Sequence, residues 1–138
     1  MKKRKILVLF FIMSICVIGF HGGVKAKTCY DVYLSKVKDP YTTRYTKKIV
    51  FEKSKITVWG RVYKVKNKNY EKAKVLSYKK RVFKLNKKTK FGEGGAVVKR
   101  LKWKQFVKEA KRLYKANTGL SMVFVKKKGR IVEVGLSP

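Results

Sequence analysis

Between Lys55 and Val65 the chain reads KITVWGRVYKV, an alternation that only an extended strand can use. Ile56, Val58, Gly60 and Val62 share one face of such a strand, and Thr57, Trp59, Arg61 and Tyr63 share the other. The first set suits a barrel interior, with Gly60 at a sharp bend. The second interleaves aromatic rings with positive charge, a pattern that stacks flat ligands. Its competing reading is structural: Trp59 and Tyr63 pack under the N-terminal strand or against a helix, since large aromatics are usually mostly buried.

The rest of the chain follows the same period, with one break. Thr28 to Val37, Tyr45 to Phe51, Arg81 to Leu85 and Thr89 to Phe91 read as extended segments, with Asp39-Pro40 and the lysine-rich stretch NKNYEKAKVLSY as punctuation. GEGG, Gly92 to Gly95, is a loop. LKWKQFVKEAKRLYK, residues 101 to 115, then switches to helical spacing. Trp103, Phe106, Val107, Ala110, Leu113 and Tyr114 form one apolar stripe, which predicts a helix from about Leu101 to Ala116 with Gly119 as its left-handed cap. Opposite the stripe stand Lys104, Lys108, Lys111, Arg112 and Lys115, interrupted only by Glu109. Leu120 to Val125 and Arg130 to Leu136 close the chain as a hairpin across KKKGR.

The first 26 residues carry the marks of a leader. Lys2, Lys3, Arg4 and Lys5 precede the apolar run Ile6 to Phe20, 15 residues long and so shorter than the ~20 a spanning helix needs. Val24-Lys25-Ala26 places small residues where a signal peptidase reads, so residues 1–26 are expected to be a signal peptide and 27–138 a single domain. Cys16 leaves with the leader, and the mature domain is expected to keep Cys29 and no disulfide.

Charge is the second constraint. Removing the five basic residues of the leader leaves 33 Lys and Arg against 7 Asp and Glu, a net charge of +26. Solubility asks only about 2 to 8 charges of a small domain. Lysine codons are AT-rich, but so are those of asparagine, which stays scarce, and codon drift does not remove acids. Self-repulsion on this scale calls for a good core or an anionic partner.

The order of strands, one helix and a terminal hairpin resembles the oligonucleotide/oligosaccharide-binding (OB) fold. The spacing also resembles small secreted lysine-rich proteins of Gram-positive gut bacteria (Firmicutes). It rests on Val58-Trp59-Gly60-Arg61-Val62, Phe83-Lys84-Leu85, Asn117 to Leu120 and Gly129-Arg130-Ile131, covering roughly residues 55 to 136. The resemblance implies a mainly β (α+β) fold, an OB-like Greek-key barrel with one helix between the third and fourth barrel strands. Thr28 to Phe51 departs from it, offering two strand segments where a minimal barrel needs one.

Catalysis has little to stand on. His21, the only histidine, lies in the leader, and the seven acids are scattered without a paired-carboxylate motif. No phosphate loop, serine elbow or zinc spacing appears, so neither an enzyme nor a metal or other cofactor is expected. The expected function is binding of anionic polymer outside the cell, at the cell wall: teichoic acid, acidic glycan, anionic lipid with peripheral membrane contact, or nucleic acid held without sequence preference. The candidate binding residues are Trp59, Arg61 and Tyr63; Lys104, Lys108, Lys111, Arg112 and Lys115; and Lys126, Lys127, Lys128 and Arg130. A predominance of lysine over arginine favours salt-sensitive, unselective contacts over bidentate phosphate recognition. The alternative is a protein-protein or structural domain of the envelope, held on the wall by its charge. A membrane-active use of the helix is disfavoured because the strands on either side need that helix for their core.

Overall fold

Period-two alternation builds most of the structure, a computed structural model that describes residues 27–66, 72–93 and 99–137. The leader, residues 67–71 of the lysine-rich connection, and Gly94 and Gly95 of the glycine loop lie outside the described residues. The strands are β1 (Lys27–Tyr33), β2 (Tyr45–Glu52), β3 (Lys55–Arg61), β4 (Tyr63–Lys66), β5 (Lys74–Val75), β6 (Lys79–Lys84), β7 (Lys90–Glu93) and β8 (Lys99–Leu101). The helix α1 (Trp103–Lys115) follows, then β9 (Ser121–Lys127) and β10 (Arg130–Leu136). The described chain is therefore mainly β with one helix, as expected.

The strands form two sheets. Seven run in the order β5-β4-β1-β9-β10-β7-β8, and three in the order β2-β3-β6. β7 pairs with β10 in parallel, and the other pairings are antiparallel. The two sheets do not join into a closed barrel among the described residues, which leaves β6 as an edge. The single segment expected from Lys55 to Val65 is shared between them: β3 belongs to the small sheet, and after Val62 the chain enters the large sheet as β4 beside β1.

The main core lies between the sheets and under the helix. Ile56, Val58 and Val62 enter it, as their shared face requires, and meet Val32, Leu34, Phe83, Met122, Phe124, Val134 and Leu136. Phe83 stacks on Phe124 with ring centroids 3.9 Å apart and interplanar angle 11°. From α1, Phe106, Ala110 and Leu113 are buried, while Trp103, Val107 and Tyr114 pack at the margin. Burying a side chain such as Phe106 contributes about 1.5 to 3 kcal/mol.

A smaller cluster of Cys29, Tyr63, Val65, Val123 and Val125 lies on the other face of the large sheet, reached by the alternate residues of β1, β4 and β9. Cys29 is buried. The expectation of no disulfide counted only the chain after Ala26, and the other cysteine, Cys16, lies outside the described residues.

Helix and turn boundaries shift for local reasons. Leu101 pairs with Phe91 in β8, so the helix starts at Trp103, where the Lys102 N–H donates to Gln105 Oε1 at 3.2 Å. The left-handed residue that ends the helix is Asn117 (φ 50°), and its Oδ1 accepts from the Lys36 N–H at 2.9 Å. Gly119 (φ 72°) makes a second left-handed turn tight against Tyr33, whose hydroxyl lies 2.6 Å from where a Cβ would stand. Lys128 and Gly129, both with positive φ, form the two-residue turn of the closing hairpin.

Candidate polyanion-binding surface

The outer face of the small sheet carries the expected aromatic platform in altered form. With Ile56, Val58 and Phe83 turned inward, the alternate residues of β2, β3 and β6 face out. Register then sets Lys48 and Lys80 opposite Trp59, one on each side. Their ammonium groups lie 5.2 and 5.6 Å from the indole. Each such contact is worth about 0.5 to 1 kcal/mol at an exposed site and holds the lysine over the ring. In neighbouring rows stand Arg61 and the exposed Val82, and at the end of the sheet Tyr45 stacks on the exposed Tyr78 at 5.8 Å with Lys38 above.

Tyr63 is elsewhere. The passage from β3 to β4 at Val62 carries it into the large sheet, where it is buried with its ring 4.6 Å from the Arg44 guanidinium. Arg61 stays half-buried, its Nε donating to the Leu76 carbonyl at 3.3 Å. The helix comb of Lys104, Lys108, Lys111, Arg112 and Lys115 is exposed throughout. Arg112 is tied to Glu109, donating from Nε to Oε2 at 3.1 Å, which leaves the lysines as the comb's available charge. In the hairpin, Lys128 and Arg130 are exposed and Lys127 is half-buried.

Lys126 turns toward a cleft that opens between the β6 edge and the closing hairpin. The cleft measures about 720 Å³, and its lining includes Tyr30, Phe83 and Ile131 with Lys64, Lys79, Lys80, Arg81, Lys84 and Lys126, and no acid among the described residues. Arg81 is the fixed member of this set. Its Nη1 donates to the Gly60 carbonyl at 3.0 Å and its Nη2 to the Ser77 carbonyl at 2.9 Å. Burial pulls its pKa below the ordinary arginine value, with the nearby Tyr30 opposing.

The acids explain why the surface reads so positive. Asp31, Asp39 and Glu133 are buried, Glu109 is bound to Arg112, and Glu93 lies 3.8 Å from Lys99. Glu52 is exposed, and Glu71 lies outside the described residues. No cation of the cleft has a carboxylate within ion-pair distance among the described residues. Nor, among the described residues, does any group of three metal-ligating side chains gather there.

Sequence reasoning missed Tyr45, Lys48, Tyr78, Lys80 and Arg81. Each lies in a segment read as strand or loop, and the signal that unites them is the register of β2 and β6 on β3, which no local pattern encodes. Comparison of the chain with protein-family models, with curated proteins and with solved structures finds no match.

Proposed function

We propose that this protein is an exported, non-enzymatic module that grips anionic polymer at the cell envelope. The observation that carries this reading is the disposition of charge: five of the seven acids are spent inside the fold or on near neighbours, while lysines stand uncompensated around Trp59, along α1 and around the cleft. Lysines brought near a polyanion release its condensed counterions, a favourable term that grows with each contact. Trp59 supplies a partly exposed ring for stacking between two of those lysines. We read the two open sheets as a small OB-like Greek-key barrel that has not closed, with Val62 as the corner through which one strand serves both sheets.

The test is retention of the purified protein on teichoic acid, heparin and DNA across a salt series. A surface engaging about six anionic groups is expected to lose on the order of a thousandfold in affinity between 50 and 200 mM salt. Converting Lys104, Lys108 and Lys111 to glutamate should flatten that salt slope. Trp59→Ala is expected to cost about 1 to 3 kcal/mol of affinity wherever a sugar or base stacks there. Association that is indifferent to salt on all three polymers would refute the reading and favour a protein partner instead.

A further inference from the structure

The geometry points to a discrete oxyanion site in the cleft, in which Arg81 takes a phosphate or carboxylate group of a sugar-sized ligand side-on. This goes beyond the lysine surface, which attracts any polyanion and selects none.

Arg81 differs from the exposed lysines in having its charged group held by hydrogen bonds to backbone carbonyls. A guanidinium has five N–H donors in a rigid plane. Nη1 is directed to the carbonyl oxygens of Gly60 at 3.0 Å and, weakly, Lys79 at 3.5 Å, and Nη2 to that of Ser77 at 2.9 Å. Nε donates to no acceptor among the described residues and Nη2 donates to one, and these adjacent nitrogens form the edge that a carboxylate or phosphate engages with two parallel bonds. The carbonyls neutralise none of the charge, and no carboxylate of the described chain approaches it. A partly desolvated cation held in place without a counter-ion gains more from an arriving anion than a hydrated one, because part of the dehydration and ordering has already occurred.

The surroundings fit one anionic unit. Lys64 and Lys126 add charge from the β4 and β9 sides of the cleft, and Lys64 rests over Tyr30 with its ammonium 5.7 Å from the ring. The volume of about 720 Å³ suits a sugar or two, not a folded partner. Phe83 is buried against Phe124 and Tyr30 is capped by Lys64, so among the described residues no open pair of rings waits to sandwich a base. A hydroxylated ring with an oxyanion substituent matches this lining better than a nucleobase does.

The test is nitrogen-resolved NMR of the Arg81 Nε–H in the purified protein, titrated with methyl phosphate and separately with glucuronate at about 0.3 M salt, where exposed lysines are screened. A saturable one-to-one shift is expected from at least one probe, and the probe that binds more tightly identifies the source as phosphate or uronate. Arg81→Lys keeps the charge and loses the fork, and is expected to weaken binding about tenfold. Lys64→Gln combined with Lys126→Gln leaves Arg81 and its carbonyl bonds in place and should also weaken binding, which keeps the test valid if Arg81→Lys unfolds. An Arg81 signal that ignores both probes, or that moves only at low salt together with exposed lysines, overturns the site. Polymer retention with a silent Arg81 removes this inference alone, and a responsive Arg81 without polymer retention removes the surface reading alone.

Discussion

Replacing Arg44 with methionine is expected to destabilise the fold by about 3 to 5 kcal/mol at neutral pH, the cost of leaving a buried charge without its partner. Arg44 is 3% exposed and lies 2.8 Å from the Asp31 carboxylate, itself 1% exposed. Its guanidinium also sits 5.0 and 4.6 Å from the Tyr33 and Tyr63 rings, and its Nε donates to Thr42 Oγ1 at 3.0 Å. Thr42 in turn donates to Asp39 at 2.6 Å, so one arginine ties β1 to the turn that leads into β2. A loss of this size lowers Tm by roughly 10 to 20 °C in a domain of about a hundred residues.

The pH dependence gives the same prediction a sign. Burial pushes the Asp31 carboxyl above its ordinary value, while Arg44 and a hydrogen bond from Ser121 pull it back. Without Arg44 the upward push is unopposed by charge. A carboxyl whose pKa is higher folded than unfolded favours the fold below the unfolded value, near 4, and loses that contribution as pH rises through the folded value. The gap between Arg44→Met and the parent should therefore be widest at pH 7.5 and narrow toward pH 4. Thermal unfolding followed by circular dichroism at both pH values would check it; an equal gap at both would show that Asp31 is not the charge left stranded.

Gly60→Ala is the second large effect, and it links fold to surface. A Cβ at this position would stand 2.3 Å from the Tyr45 carbonyl oxygen and 2.9 Å from the Thr46 Cα, both backbone atoms. The closeness has a cause: the β2–β3 register slips between Thr46 and Lys48, opposite Gly60 and Trp59. Thr46 is fully buried there, its N–H donating to the Ser35 carbonyl at 2.9 Å and its carbonyl accepting from the Tyr114 hydroxyl at 2.7 Å. Backbone pinned from two sides cannot yield to a methyl group, so a loss of about 3 kcal/mol or more is expected. Any protein that still folds should bind polymer less well, because Gly60 directly follows Trp59 of the platform and its own carbonyl orients Arg81. Denaturant unfolding measures the first effect, and salt-series retention the second. A variant of parental stability would mean that the bulge relaxes freely.

How legible the site was depends on which residue is asked about. Trp59 faces outward among cations, as its alternation with Ile56 and Val58 required, and the lysines of α1 are exposed because the opposite stripe is committed to the core. Tyr63 was indistinguishable from Trp59 by the same alternation, yet it is buried on another sheet. Nothing local marks Val62 as the residue where the chain changes sheets, since that is set by what pairs with each half: β2 and β6 before it, β1 after it.

The sequence by itself determined the periods, and with them which side chains turn inward along each strand and on the helix, as well as the excess of positive charge. Those properties are local or additive, so they survive without knowledge of any partner. Only the tertiary structure decided that Asp31, Asp39 and Glu133 would be buried, that Lys48 and Lys80 would flank Trp59, and that an unclosed sheet edge would leave Arg81 in a cleft where no described residue brings a carboxylate. These depend on pairing between segments far apart in the chain, where register is chosen by the burial of whole faces and not by any one residue.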